Sequence, residues 1–388
     1  MSQHTPTPTP TPSRLRAAAP GLALIVAVIA ALALANSPAA SRVAAIESFD
    51  FAGLSLAHWV SDGLLVVFFL VVGIDLRREL THGSLATPAR AAVPVLAALG
   101  GMLAPAAVYL AFNLGPGGHP HGWAVPTATD IAFVVSLLAL VAPGVSLAAR
   151  AFVLALAVAD DLFAIIVIAV GYSSGIALGW LGVAVLGLIG FVVLQRLGAV
   201  WAALDLLALP VAVLVWWATL RSGVHPTIAG VALGIAVRPD AASRILRIAS
   251  PVATWLAVPL FAFVSASVSI NADGLAGLTG DPVALGVFFG LVVGKPLGIL
   301  AVVWLVSLVR PDARIASWAD LTVVGLLAGV GFTVSLLVAG LAFDGQVLET
   351  DRATLAVFAA SLVAALAAGA VHAGQRRRRV SSHSLSAR

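Results

Sequence analysis

Twelve apolar runs, at about residues 18–36, 59–76, 91–113, 122–141, 149–171, 176–195, 203–220, 222–237, 252–270, 283–309, 319–342 and 353–373, follow one another with short polar links. Backbone in lipid has to satisfy its own hydrogen bonds, so runs of this length and character are expected to form membrane-crossing helices. With 388 residues, 61% of them hydrophobic and only 10% charged, the chain has too little polar surface to cover a water-soluble globule. The expected fold class is all-α integral membrane. The expected organisation is a disordered tail over residues 1–17, a polytopic domain over 18–373 and a basic tail over 374–388.

Arg14 and Arg16, followed by an apolar run that passes Ala33, Leu34 and Ala35, have the outline of a secretory signal. The run is long for that role and eleven more follow it, so it reads as a first helix that stays in place. An even helix count puts both ends on one side. That side then holds seventeen arginines, in the tails and alternate links, while Arg42, Arg221 and Arg352 alone fall on the other. The positive-inside rule makes the richer side cytoplasmic. The net charge of +4 therefore records orientation, and no nucleic-acid partner is expected. The one basic cluster, Arg376 to Arg379, suits anionic lipid. The absence of cysteine removes disulfides, thiolate metal sites and cysteine nucleophiles.

Charge inside the membrane is costly and points to function. Asp160 and Asp161 stand at the middle of Ala151–Val170, with nine uncharged residues on either side. Neighbours on a helix point about 100° apart, so the two acids cannot face one partner. Lys295, the only lysine against twenty arginines, lies deep in the tenth run. Lysine can lose its proton when desolvated and arginine cannot, which suits a cation that neutralises an acid in one state and releases it in another. One acid can pair with Lys295 while the other faces a cavity.

Two runs look interrupted. The fourth carries Pro126, Thr127, Thr129 and Asp130 at mid-depth, and the eleventh carries Gly329, Gly331 and Thr333. Unwound backbone survives there only where it is buried in protein or lines a polar cavity. A pair of broken helices in corresponding places marks the substrate site of many secondary transporters. Runs three to five and ten to twelve each hold the break in their middle member, as inverted-topology repeats would. Carboxylates, threonine hydroxyls and freed carbonyls are ligands for a small hard cation, and burial with mutual repulsion lets the same oxygens hold protons. A site that empties one way as metal and the other way as protons is an antiporter. The segment from Ser41 to Ala57 is too short and polar to span, and its partial alternation allows a small hairpin.

The stretches WAVPTATDIAF, LALAVADDLFAII, RSGVHPTIAGV, VPLFAF, GLVVGKPLGI and GVGFTVSLLVAGLAF resemble the signature blocks of the NhaA-type bacterial sodium/proton antiporters, over about residues 18–373. The resemblance implies an electrogenic exchanger of sodium or lithium for protons in the bacterial inner membrane, without a cofactor and without enzymatic activity. It implies that Asp160 and Asp161 are the carboxylates for sodium or lithium, with Asp161 the main cation and proton group and Asp160 the one that pairs with Lys295, and that Thr129 and Asp130 belong to the broken helix. Asp130 with Lys295 would offset the dipoles of the crossing half-helices. It further implies a homodimer held through Ser41–Ala57, and activation at alkaline pH through Asp75, Arg78 and Glu79. Before the ninth run the family's Glu-His pair is replaced by Leu246 and Arg247, and a further His by Ser250, so the pH response is expected to be displaced. His225 reads as a packing or hydrogen-bonding residue. An intramembrane aspartyl protease needs two acids sharing one proton, and a channel would pass cations without proton coupling; both are alternatives to exchange.

Overall fold

The computed structural model describes residues 14–83, 85–173, 175–198, 207–270, 279–310 and 316–386. Its elements are α1 (Arg14–Ala35), α2 (Ala40–Glu47), an antiparallel pair β1 (Asp50–Phe51) and β2 (Leu54–Ser55), α3 (Leu56–Thr81), α4 (Pro88–Asn113) and a 3-10 segment, Pro120–Thr127. There follow α5 (Ile131–Val141), α6 (Leu147–Gly171), α7 (Leu178–Gly198), α8 (Ala208–Arg221), α9 (Thr227–Ala236) and α10 (Pro239–Ser265). The last four are α11 (Pro282–Val309), α12 (Trp318–Ala328), α13 (Phe332–Ala342) and α14 (Val347–Ser386).

Among the described residues, eight helices are long and apolar enough to cross a membrane, and ten spans result if each of two bent pairs counts as one. Those pairs, the 3-10 segment with α5 and α12 with α13, bend by 46° and 41° at the two expected breaks. α8 and α9 are shorter apolar helices. Large side chains such as Leu186, Val309 and Leu362 stand exposed on the outside of the bundle, which is where lipid rather than water covers a surface. The chain is a multi-pass membrane protein.

Several boundaries differ from the sequence reading for local reasons. The first half of the fourth run is 3-10 rather than α-helical, because Pro120 and Pro126 withdraw two backbone donors within eight residues. α10 starts well before its apolar run: Pro239 opens it, and its first turns are amphipathic, burying Ala242 and Ala249 while Arg244 and Arg247 stay exposed. Residues 14–17, expected in the tail, already belong to α1, and α14 continues through Ser386 instead of stopping near 373. The Thr-Pro repeat at residues 5–12, part of the tail expected to be disordered, lies outside the described residues. The first seven residues of Ser41–Ala57 belong to α2, and the hairpin is only two residues a side. Its anchor is Glu47, which accepts from the Ser267 hydroxyl at 2.7 Å; burial raises this carboxyl above the usual range and the hydrogen bond opposes the rise.

Close helix packing rests on glycine. Gly290, Gly294 and Gly298 form one face of α11, where a Cβ would lie 2.7 Å from Pro126 Cβ, 2.8 Å from Pro105 Cα and 2.7 Å from Ala104 Cβ respectively. This small-residue seam, joined by Gly100 and Gly101 of α4, brings Lys295 in against the break. Gly298→Val is expected to overpack the seam and destabilise the protein by about 1–3 kcal/mol, read as a lower Tm in detergent. An unchanged Tm would show that the seam is looser than its geometry. A second seam sets Gly230 and Gly234 of α9 against Val66, Leu70 and Gly73 of α3.

α10 and α11 each contain a π turn, Ala253–Ala257 and Gly290–Gly294. Pro259 and Pro296 explain both. Each lacks an N–H for the carbonyl four residues back, at Trp255 and Val292, and its ring crowds that carbonyl, so the turn widens. The second π turn ends immediately before Lys295.

Candidate functional site

The two broken runs cross at their breaks and satisfy each other there. Asp130 N–H donates to Val330 O at 3.0 Å, and the Thr129 hydroxyl donates to Ala328 O at 3.0 Å, so residues of one break close the carbonyl end of α12. In the other direction, Asp130 caps two helices at once. Phe133 N–H donates to its Oδ1 at 2.9 Å; Thr333 N–H and hydroxyl donate to its Oδ2 at 3.2 and 2.6 Å. Each helix N-terminus carries roughly half a positive charge, so the first turns of α5 and α13 balance this one carboxylate locally. Phe133 and Phe332, at the starts of those helices, stack with centroids 4.7 Å apart. Phe332 takes φ +26°, strained backbone of a kind that persists at functional breaks when its surroundings hold it.

Lys295 completes the crossing. Its Nζ donates to Asp160 Oδ2 at 2.7 Å and also to the carbonyl of Thr127, the last residue of the 3-10 segment. The ammonium thus sits between a carboxylate and the negative end of a half-helix, in a place where it is only 1% exposed. Thr129 lies in hydrogen-bonding reach of Asp160 as well.

Asp161 is different. It is as deeply buried as its neighbours, at 6% exposure, and feels the charges of Asp160, Asp130 and Lys295, yet among the described residues it makes no hydrogen bond or ion pair. Asp130 is balanced by helix ends and Asp160 by an ammonium. Asp161 has neither, so a mobile positive charge is what its carboxylate requires.

The structure therefore brings together Thr127, Thr129, Asp130, Asp160, Asp161, Lys295 and Thr333, with Pro126, Gly329 and Gly331 shaping the breaks. Among the described residues no three His, Asp or Glu side chains converge closely enough to cage a metal ion. A cation at Asp161 would complete its shell with uncharged oxygens and water, as alkali ions accept. The arrangement also speaks against proteolysis: Asp160 is held by Lys295 and both oxygens of Asp130 are taken, so no two acids share a proton. A separate apolar groove of about 690 Å³, lined by Trp59, Leu70, Trp216, Gln195 and Arg244 among others, contains none of the acids and so offers a hard cation no carboxylate.

The regulatory candidates lie elsewhere. Asp75 and Arg78 pair at 3.8 Å on the exposed side of α3, with Glu79 next along the chain, and Arg78 reaches Ser243 of α10 at 3.4 Å. Arg247 is exposed on α10 and Leu246 packs inward. Arg77, which sequence reasoning passed over, closes the end of α9 by donating to Ile235 O at 3.0 Å and to Val237 O. Asp62 was missed too, although a lone acid in an apolar run was the signal for it. It lies 3.4 Å from His225, whose other ring nitrogen meets Thr227 Oγ1 at 2.7 Å. His225 is thus the hydrogen-bonding residue expected.

The model of the family described as Na+/H+ antiporter 1 matches residues 14–371. The chain is similar to the Na(+)/H(+) antiporter NhaA of Streptomyces antibioticus, with 46% identity over 359 residues, 88% of this chain and 74% of the relative. It is similar to Na(+)/H(+) antiporter NhaA 3 of Streptomyces coelicolor, with 44% identity over 355 residues, 87% of this chain and 74% of the relative. Na(+)/H(+) antiporter NhaA 2 of Clavibacter michiganensis subsp. michiganensis is 46% identical over 365 residues, 90% of this chain and 88% of the relative.

Proposed function

Because the chain belongs to the Na+/H+ antiporter 1 family, we propose that it exchanges sodium for protons across a membrane, with Asp161 as the group that carries them in turn. Inverted repeats built around interrupted helices are a recurrent architecture of secondary transporters, this family included. The observation that carries the assignment of the site is the division of labour at the crossing: Lys295 holds Asp160 at 2.7 Å while adjacent Asp161 is buried and unpaired. Sodium or lithium binding at Asp161 displaces protons, and protons taken up from the other side displace the metal. Occupancy by one excludes the other, which is what couples the two fluxes.

In this reading α8 and α9 are spans, giving twelve, with both termini in the cytoplasm, an orientation the arginine distribution supports. The membrane is the bacterial inner membrane, and exchange is electrogenic, as the family resemblance implies. The α2 and hairpin segment, pinned to the end of α10 through Ser267, stands where a second copy can join it into a homodimer. Asp75, Arg78 and Glu79 are the pH-responsive group, and Arg376–Arg379 meet anionic lipid.

Everted vesicles test the exchange. With a proton gradient established by respiration, added sodium is expected to collapse it within seconds in vesicles carrying the protein and not in those without. A gradient indifferent to sodium and lithium across the pH range would overturn the proposal.

A further inference from the structure

The chain has only two tyrosines, and both place their hydroxyls on the same short piece of backbone. Tyr109 of α4 donates to His119 O at 2.8 Å, and Tyr172, at the end of α6, donates to His121 O at 2.7 Å. Those carbonyls stand where the 3-10 segment Pro120–Thr127 begins, at the end away from the acids. The Tyr172 hydroxyl also lies in hydrogen-bonding reach of the Ala124 N–H. One oxygen therefore serves both backbone groups that a 3-10 turn pairs, i with i+3. Asn113, one turn along α4 from Tyr109, accepts from His119 N–H at 3.1 Å and donates to Pro282 O at the start of α11 at 2.8 Å. The segment sits close against Tyr109: a Cβ on Gly122 would collide with its hydroxyl and with Phe343.

Such a segment cannot place itself. Hydrogen bonds in a 3-10 helix are poorly aligned, and Pro120 and Pro126 withdraw two donors, so contacts from outside decide where it lies. Its far end matters, because Thr127 O is the carbonyl to which Lys295 donates. α6 leaves the acids toward Tyr172, and the segment returns from His121 to Thr127. The two are joined at both ends, by the Tyr172 hydroxyl at one and by Lys295, shared between Asp160 and Thr127, at the other. Tyr109 ties the same outer end to α4, whose Gly100 and Gly101 seat α11 around Lys295. A short rigid element held in this way carries a shift at one end to the other, here over roughly 12 Å from His121 to Thr127.

We propose that Tyr109 and Tyr172 are positioning residues for exchange: their hydroxyls set where the Thr127 carbonyl stands, and so how Lys295 is shared between that carbonyl and Asp160. This rests on the antiporter reading. Neither tyrosine meets the ion. Both act through the half-helix, and a displacement of about 1 Å at a reacting centre slows a reaction by up to about 100-fold.

Tyr109→Phe and Tyr172→Phe, made in the full-length protein, keep each ring and its packing and remove one hydroxyl. In everted vesicles each is expected to lower the maximal rate of sodium-dependent proton movement about three- to tenfold. Simple anchoring of a loop would lower Tm without any link to Lys295, so the deciding test is a cycle with Lys295→Arg. Groups this far apart act independently unless something rigid joins them. The rate of Tyr172→Phe with Lys295→Arg, as a fraction of native, is expected to exceed the product of the two single fractions at least about twofold. Fluorotyrosine labelling gives a readout that does not need exchange, since two tyrosines give two fluorine resonances. Lys295→Arg is expected to move both in detergent-solubilised protein. Native rates in both phenylalanine variants, fractions that simply multiply, or fluorine resonances unmoved by Lys295→Arg would overturn the proposal. The two readings fail separately: absence of sodium-dependent proton movement in the unsubstituted protein would reject exchange, whereas an active protein whose tyrosines ignore Lys295 would reject only the positioning role.

Discussion

Everted vesicles carrying Asp161→Asn are expected to lose sodium-dependent proton movement altogether, a fall of at least about 100-fold in exchange rate at any pH. Asparagine keeps the size and one oxygen of the side chain, so packing around α6 is preserved. It cannot take up a proton and has no charge to attract sodium. Asp160 remains with Lys295 and Asp130 remains between two helix ends, so neither is released to substitute. Expression and Tm are expected to stay near those of the unsubstituted protein, because an unpaired buried carboxylate contributes nothing to stability and its removal relieves repulsion from Asp160. Exchange at normal speed in the asparagine variant would remove Asp161 from the mechanism.

Lys295 is expected to show the second large effect, and the comparison between two variants is what makes it diagnostic. Lys295→Ala leaves Asp160 as an uncompensated buried charge and the Thr127 carbonyl without its donor. Breaking a buried pair from one side costs about 3–5 kcal/mol, so this variant should lose both stability and exchange. Lys295→Arg keeps a positive charge but cannot give up its proton, and its planar fork has to fit the seam formed by Gly100, Gly101 and Gly298. It should retain part of the activity with a displaced pH profile. The measurement is the pH dependence of exchange alongside Tm for both variants. If both behaved as the unsubstituted protein, Lys295 would hold neither the acid nor the half-helix.

Much of this was legible in the residues. The depth of Asp160 and Asp161 in one apolar run, and of a solitary lysine in another, follows from counting, because lipid makes every buried charge conspicuous. Pro126 and the pair Gly329 and Gly331 marked both bends. What counting could not reach was partnership. That Asp160 and not Asp161 takes Lys295 depends on the rotation of α6 against α11, which the glycine face of α11 fixes through packing with α4. The double capping by Asp130 was hidden for a similar reason: one acceptor comes from residue 130 and its donors include residue 333. Asp62, and with it the partner of His225, escaped because each looked solitary along the chain and they meet only when α3 and the start of α9 cross. The amphipathic opening of α10 was hidden by its polarity, since a helix that begins at the membrane surface carries no apolar run to announce it.

Competition at one carboxylate is the centre of this account, and purified protein in lightly buffered detergent solution reports it directly. When sodium is added at constant pH, a pH indicator should register protons released in proportion to the sodium bound, with no release from the Asp161→Asn variant. Sodium binding with no proton released from the unsubstituted protein, or equal release from the variant, would contradict it.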